Sequence, residues 1–115
     1  MRYLAIYKTE ETGTPPSAEH MARMGALIDE MTKAGVLLST EGCLPSSRGF
    51  RARRKKGKVI VTDGPFTETK EIIGGFALLE VQSREEAVRW TERFLEVAGD
   101  GESEVRLLNE PQPRG

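Results

Sequence analysis

The order of apolar patterns along the chain constrains its fold more than any other feature. Two segments carry apolar residues at spacings of three and four, which is the repeat of a helix with one buried face. The first stripe consists of Met21, Met24, Ile28 and Met31, and the second of Ala87, Trp90, Phe94 and Val97. Short apolar segments flank both stripes, so we predict that strands precede and follow each of two helices.

The predicted helices have clear start and stop signals. The first helix covers residues 17–34, where Ser17 can cap the free amides of the first turn. Gly35 then permits the left-handed conformation that commonly ends a helix. The second helix follows Ser83 and Glu86, which have the serine and glutamate spacing of a capping box.

Several short segments fit strands. They are residues 3–7, 36–38, 50–54, 58–62, 76–81 and 104–107. The third and fourth flank Lys55-Lys56-Gly57 and are predicted to pair as a hairpin with a glycine in its turn. The resulting order, strand, helix, strand, hairpin, strand, helix, strand, resembles a ferredoxin-like α+β sandwich, in which two helices cover one face of a mainly antiparallel sheet. The other face would be bare, and we predict that a homodimer covers it.

Length and charge limit the functions that the chain can have. Its 115 residues fit a single domain, predicted at residues 1–110, with a flexible tail at residues 111–115. The net charge of −1, from 17 basic and 18 acidic residues, argues against binding of nucleic acid or of an anionic membrane. A basic run lies at residues 48–58, and because few aromatic residues interleave with it, we interpret it as a solvated hairpin.

The scarcity of cysteine and histidine limits cofactor chemistry. Cys43 is the single cysteine and has no partner for an intramolecular disulfide, and no Cys/His cluster has the spacing of a zinc site. We therefore predict no metal and no cofactor. The N-terminal apolar run is too short for a signal peptide and no segment approaches the length of a membrane span, so a cytoplasmic location is expected.

The segment VTDGPFTETKEIIGGF, residues 61–76, concentrates turn residues and charges between two predicted strands. A tight turn is expected to start at Gly64, because proline is favoured at the second position of common turns. Asp63 would then end a strand, and it would either accept hydrogen bonds from the turn amides or project into a cavity between sheet and helix. Thr67 is predicted to cap a single helical turn over residues 68–71.

The charges of this segment allow two interpretations. Lys70, between Glu68 and Glu71, fits a surface ion-pair cluster of little energetic weight. In a cleft, a lysine close to Asp63 and Glu41 would keep both carboxylates ionised and bind an anionic or carbonyl ligand. The pattern alone favours neither interpretation.

The sequence resembles the YCII-related family, and in particular its DGPF subgroup, through a signature in residues 62–76. The residues of this signature are Thr62-Asp63-Gly64-Pro65-Phe66, Glu68, Lys70-Glu71 and Gly75-Phe76. The similarity extends over nearly the whole chain. The resemblance implies a dimeric α/β barrel, in which the sheets of two subunits face each other. Members of the DGPF subgroup largely lack an assigned reaction, and their genes are often associated with extracytoplasmic-function sigma factors.

The resemblance also singles out His20. An enzymatic role has been suggested for shorter YCII-like members on the basis of a histidine and aspartate pair, and residues 16–24, PSAEHMARM, resemble the segment that holds the histidine. Residues 43–49, CLPSSRG, contain no aspartate to pair with it. His20 suits a general base, and it equally suits a partly exposed surface position.

Two classes of function follow from these patterns. In the first, the protein binds a small organic molecule in a pocket beside the motif, and proton transfer is the expected chemistry. The candidate catalytic residues are His20 and Asp63, and the candidate ligand-binding residues are Glu41, Phe66, Glu68, Lys70 and Glu71. In the second, the protein is a non-catalytic regulatory or interaction module linked to a sigma factor, and the motif is a dimer-forming turn. Motif charges that face a closed cavity would favour the first class, and charges in solvent or at a subunit interface the second.

Overall fold

A computed structural model describes residues 1–110 and shows the predicted alternation of strands and helices. The helices are α1 (Ala18–Lys33) and α2 (Arg84–Ala98). The strands are β1 (Arg2–Thr9), β2 (Leu37–Gly42), β3 (Phe50–Lys55), β4 (Lys58–Asp63), β5 (Ile72–Glu80) and β6 (Glu102–Leu107). A short 3-10 turn, Ser46–Arg48, precedes β3. The predicted tail, residues 111–115, lies outside the described residues.

Four strands form one antiparallel sheet in the order β2-β5-β1-β6. This is the strand order of a ferredoxin-like sandwich, so the predicted α+β fold class is confirmed. The hairpin of β3 and β4 forms a separate two-stranded sheet, as predicted. Lys56 and Gly57 turn this hairpin with positive φ angles of 52° and 78°, which a tight two-residue turn requires.

Both helices begin at the predicted caps. The Ser17 hydroxyl oxygen accepts a hydrogen bond from the His20 amide at 3.0 Å. The Ser83 hydroxyl oxygen accepts from the Glu86 amide at 3.1 Å, and the Glu86 carboxylate accepts from the Gln82 amide at 3.0 Å. These bonds satisfy amides that the first helical turn leaves free. The cap of α1 therefore fixes His20 in the first turn of that helix.

The buried core lies towards one end of the two-layer sandwich. Its members are Tyr3, Leu27, Met31, Val36, Leu79, Val81 and Ala87. They come from the start of β1, the second half of α1, the approach to β2, the end of β5 and the first turns of α2, which the antiparallel topology brings together. The methionine stripe contributes unevenly, because Met31 is buried whereas Met21 is 62% exposed.

Among residues 1–110, helices cover one face of the sheet and leave the other bare. Tyr3 and Leu79 belong to the core and face α1 and α2, and side chains alternate between the two faces along each strand. We call the opposite face, which carries the intervening side chains of β1 and β5, the open face. Its apolar residues are Leu4, Ile6, Phe76 and Leu78. The thinnest dimension of the molecule is 18 Å, which fits one helix layer on one sheet.

Leu79 gives a direct test of the core. It is 2% exposed, and Leu79→Ala is expected to lower the free energy of unfolding by about 3 kcal/mol, because buried apolar contacts are lost and a void remains. Leu44 is 69% exposed and provides the matched control, for which Leu44→Ala is expected to cost less than about 0.5 kcal/mol. Urea unfolding followed by circular dichroism measures both changes. Equal losses in the two variants would contradict this placement of the core.

Candidate functional site

A cavity of about 560 Å³ extends from the core towards the other end of the sandwich, between the helices and the sheet. It exists because the sheet residues beneath the helices are small there. Ala5 pairs with Ala77 on the floor of the cavity, and Gly75 and Ser103 lie one step further along the neighbouring strands. At the core end, the larger Tyr3 fills the equivalent space.

The wall of the cavity is largely aromatic and sulfur-containing. It includes Tyr7, Met21, Met24, Trp90 and Phe94. The rings of Tyr7 and Phe94 meet edge to face with their centroids 5.2 Å apart. Such a lining favours a flat, mostly apolar ligand over a strongly charged one.

Some polar groups of the wall are already engaged. The Tyr7 hydroxyl donates to the Asp100 carbonyl at 3.0 Å, and the Thr40 hydroxyl donates to the Phe76 carbonyl at 2.9 Å. His20 is half-buried at the start of α1, and its side chain makes no hydrogen bond in the described part of the chain. Its imidazole is therefore free to donate to and accept from a ligand in the cavity.

The structure separates the predicted site residues into two groups. His20 and Glu41 line the cavity. Glu41 is exposed and lies on β2 opposite Phe76 of β5, so its backbone borders the cavity and its side chain is directed to the open face. The other five predicted residues do not line this cavity, namely Asp63, Phe66, Glu68, Lys70 and Glu71. Within one chain, the charges of the motif therefore do not face the cavity.

The motif packs against β3 instead. Arg51 of β3 forms an ion pair with Glu68, and its guanidinium carbon lies 3.9 Å from the centroid of the Phe66 ring. The same guanidinium donates to the Thr69 hydroxyl at 2.8 Å. Hydrogen bonds from its own backbone amide and from Arg51 hold the pKa of Glu68 below its ordinary value. The remaining motif charges are exposed, and they are Asp63, Lys70 and Glu71.

The predicted helical turn over residues 68–71 is wrong. The Thr69 amide donates to the Phe66 carbonyl at 3.1 Å, which closes a four-residue β-turn that starts two residues after the predicted start at Gly64. The physical reason is long-range: Arg51 of the neighbouring hairpin binds side chains of this turn and keeps the segment against β3. No local sequence pattern signals that contact.

A buried serine anchors the motif to the loop after β1. Ser46 is 6% exposed, its amide donates to the Glu11 carboxylate at 2.7 Å, and its hydroxyl donates to the same carboxylate. The Ser46 hydroxyl oxygen accepts from the Phe66 amide at 3.1 Å. Hydrogen bonds from Ser46 hold the pKa of Glu11 below its ordinary value of 4.5. Sequence reasoning missed Glu11 because it lies in an irregular loop, 35 residues away from its partner.

Glycine is required at the start of the motif. The Gly64 amide donates to the Gly49 carbonyl at 2.9 Å, which brings the backbone against the Ser46 turn. A Cβ atom at Gly64 would lie 1.8 Å from the Ser46 carbonyl oxygen, far inside van der Waals contact. A side chain at Gly64 would therefore displace the motif from its anchor.

Sequence comparison identifies the family. Residues 1–109 match the sequence model of the YCII-related domain. The chain belongs to the YCII-related domain family. Within residues 1–110 of this YCII-related protein, no three or more His, Cys, Asp or Glu side chains are grouped to hold a metal ion. No helix in the same range is long and apolar enough to cross a membrane.

Two further proteins are similar to this YCII-related chain. An uncharacterised protein of Rhizobium meliloti is 35% identical over 68 residues, which are 59% of this chain and 55% of that protein, so the match spans about half of the curated relative. A 5-chloro-2-hydroxyhydroquinone dehydrochlorinase of Burkholderia phenoliruptrix, solved in complex with 2,5-dihydroxybenzoquinone, has a similar structure with a TM-score of 0.52. It is 14% identical, and the match covers 96% of each chain. That similarity shows a shared fold.

The glycine requirement of the motif can be tested by one added methyl group. Gly64→Ala is expected to lower the free energy of unfolding by about 3 kcal/mol, because the backbone of Ser46 must move to admit the Cβ atom. At Gly49, the nearest atom to an added Cβ would be 3.7 Å away, an ordinary contact, so Gly49→Ala is expected to cost less than about 1 kcal/mol. Urea unfolding compares the two. If the costs were the same, the close approach at Gly64 would be wrong.

The anchor makes stability depend on pH. Because folding lowers the pKa of Glu11, the bond to Ser46 stabilises the fold fully above the ordinary value of 4.5 and loses that effect as the pH falls through the lower folded value. Glu11→Gln is therefore expected to melt at a lower temperature than the wild type at pH 7, and the difference should shrink on acidification. Glu10→Gln, at an exposed neighbouring position, is the control and should melt like the wild type. A Glu11→Gln difference that grows at acid pH would contradict the anchor.

Proposed function

We propose that this YCII-related protein binds a small, mostly apolar organic molecule with an aromatic or quinone-like ring in the cavity between its helices and its sheet. The observation that supports this most directly is the cavity itself, of about 560 Å³ with an aromatic and methionine wall. Its volume lies within the range of about 300 to 1,000 Å³ that is typical of small-molecule sites. One imidazole on an otherwise apolar wall would fix the orientation of the ligand.

We assign to His20 the polar contact with the ligand, because the Glu41 side chain is directed to the open face. A free imidazole can donate to a carbonyl or accept from a hydroxyl of a ring, and it can move a proton at that same oxygen. The structurally similar dehydrochlorinase was solved with 2,5-dihydroxybenzoquinone, a ring with oxygen substituents of the kind that such a wall and imidazole would accept. Acid and base catalysis by His20 is the chemistry that fits this site, and Asp63 takes no part in it.

We further propose that the chain belongs to the DGPF subgroup and that its motif serves the structure rather than the ligand. Phe66 and Glu68 hold Arg51 of the hairpin, and the Phe66 amide binds the buried Ser46. Lys70 and Glu71 are exposed where the chain enters β5. These contacts support a role in orienting the hairpin against the body of the domain.

We also propose a homodimer that forms through the open face, which would give a dimeric α/β barrel. Both helices lie on the other side of the sheet, so Leu4, Ile6, Phe76 and Leu78 are uncovered by any helix of residues 1–110. Phe76 is 38% exposed in the single chain. A contiguous apolar surface of this kind is typical of a protein interface, and identical chains commonly meet through identical faces.

A regulatory module linked to an extracytoplasmic-function sigma factor is the second candidate function. The observation that favours it is the exposure of Asp63, Lys70 and Glu71, which leaves these charges available to another protein. This candidate requires no ligand in the cavity. Ligand binding by the isolated protein, dependent on His20, would count against it.

Trp90 provides the test of ligand binding, because it is the single tryptophan of the chain and lines the cavity. Titration with a panel of mono- and dihydroxybenzenes is expected to change its fluorescence in a saturable way for at least one member. His20→Asn is expected to weaken that ligand about tenfold, the effect of losing one hydrogen bond. Asp63→Asn, which lies outside the cavity, is the matched control and should bind like the wild type.

Three outcomes would contradict the assignment. They are the absence of any saturable change across the panel, wild-type affinity in His20→Asn, and a loss in Asp63→Asn as large as that in His20→Asn. Circular dichroism of each variant ensures that the fold is intact. A loss of ligand affinity confined to Asp63→Asn would instead place the ligand site at the motif.

A further inference from the structure

The hairpin of β3 and β4, which we call the arm, projects from the domain. All residues of both strands are exposed, and among residues 1–110 neither strand packs extensively against another helix or strand. The radius of gyration is 16.5 Å, whereas a compact domain of this length has about 13 Å. A two-stranded hairpin without support is at best marginally stable in water. The arm therefore needs a partner surface.

The two faces of the arm differ in chemistry. The register pairs Phe50 with Asp63, Ala52 with Val61 and Arg54 with Val59 on one face, whose large apolar side chains are those of Phe50, Val59 and Val61. Phe50, Val59 and Val61 are 66%, 63% and 60% exposed, and we call this side the apolar face of the arm. The opposite face carries Arg51, Arg53, Lys55, Lys58, Ile60 and Thr62.

The motif supports the arm from its charged face. Arg51 lies on that face, and it is the residue that binds Glu68 and stacks on Phe66. The apolar face is left without a contact of comparable extent among residues 1–110. The arm therefore lacks a surface that would cover Phe50, Val59 and Val61.

The charge of the arm points to a partner of opposite sign. Residues 50–63 contain six of the 17 basic residues and one of the 18 acidic residues, so the rest of the chain has 11 basic against 17 acidic residues. Lys55 and Lys58 face each other directly across the strand pair, where like charges are destabilising. An acidic surface beside the tip would relieve this repulsion.

The open face has the complementary pattern. Its centre is apolar, and at positions of the same face the edge strands carry three carboxylates and one arginine, namely Glu41 on β2 and Glu102, Glu104 and Arg106 on β6. Glu104 forms ion pairs with Lys8 and Arg106, so Glu41 and Glu102 are the edge carboxylates without an ion pair among residues 1–110. An apolar centre with acidic edges matches an arm with an apolar face and a basic tip. A second copy of this chain therefore offers both features that the arm requires.

We propose that the arm closes over the open face of a second copy of the chain. The apolar face of the arm covers apolar residues at the margin of the partner's open face, and Arg54 on that same face of the arm, with Lys56 in the turn, lies against the partner's acidic edge. In a two-fold symmetric dimer this contact, which we call the clasp, occurs twice, and the arm of each chain lies on the open face of the other. This inference rests on the homodimer proposed above and adds the element that closes it, and it gives the motif the role of holding the arm in position.

The test compares the two faces of the arm by sedimentation velocity over a dilution series. Val59→Ser with Val61→Ser removes the apolar face, and this double variant is expected to raise the dissociation constant of the dimer at least about tenfold. Ile60→Ser is the matched control, because Ile60 is 60% exposed on the opposite face of the same strand. It carries a similar loss of strand propensity and is expected to stay within about twofold of the wild type.

A charge exchange tests the choice of partner surface. Arg54→Glu, on the apolar face, with Lys56→Glu, in the turn, is expected to weaken the dimer, and so is Glu41→Lys with Glu102→Lys. A mixture of the two double variants should form heterodimers more tightly than either forms homodimers, because each arm then meets an edge of opposite charge. Failure of the mixture to recover affinity would show that the arm does not meet this edge.

The outcomes separate the clasp from the dimer and from the ligand site. A wild-type protein that sediments as a monomer at about 100 μM overturns both the dimer and the clasp. A tight wild-type dimer that the Val59→Ser, Val61→Ser variant leaves unchanged overturns the clasp alone and leaves the open-face dimer standing. Equal weakening by Ile60→Ser also overturns the clasp, because it would reflect loss of the hairpin itself. Ligand binding, measured by Trp90 fluorescence, is a separate test that does not depend on these sedimentation results.

Discussion

The small side chains on the helix-facing side of the sheet are the constraint on which the rest of the structure depends. At one end, Tyr3 and Leu79 fill the space between the layers and form the buried core. Further along the same strands, Ala5 and Ala77 leave that space empty. The helices are stiff and span both regions, so they bridge the gap rather than follow the floor inwards. The cavity results, and the capped first turn of α1 brings His20 to its wall.

The same two-layer construction leaves the other side of the sheet without a cover in the part of the chain that the structure describes. The single layer of helices covers one face of the sheet. The outer side chains of β1 and β5 must then contact solvent or another protein. The arm extends the surface that needs a partner. In our proposal, the interior of the sandwich holds a ligand, and the open face and the arm meet a second chain. The motif is connected with the arm rather than with the cavity, because its contacts are made with Ser46 and with Arg51 of β3.

Local patterns of the sequence predicted the parts of the structure that local interactions determine. The caps at Ser17 and Ser83, the second apolar stripe and the arm follow from spacing and turn chemistry, and the structure confirms them. The first stripe is confirmed only in part, because Met21 is exposed and Leu27, outside the predicted stripe, is buried. The contacts of Arg51 with the motif, and of Glu11 with Ser46, join distant residues and have no local signature. Because Arg51 binds side chains of the motif, residues 68–71 do not form the predicted helical turn. Asp63 lies outside the cavity for the same reason, because it ends β4 of the arm and the motif that follows is bound to Arg51 and Ser46. The small residues of the cavity floor can be read from the sequence, but only the register of the strands shows that they lie side by side beneath the helices.

The most direct measurement of ligand binding in this cavity is a nuclear magnetic resonance titration of His20. It is the single histidine of the chain, so its imidazole carbon–proton resonances are identified without ambiguity. Addition of the dihydroxybenzene that changes Trp90 fluorescence is expected to shift these resonances along a saturable curve with the same affinity. If that ligand bound and shifted resonances of the motif or the arm while those of His20 stayed in place, the cavity would not be the ligand site.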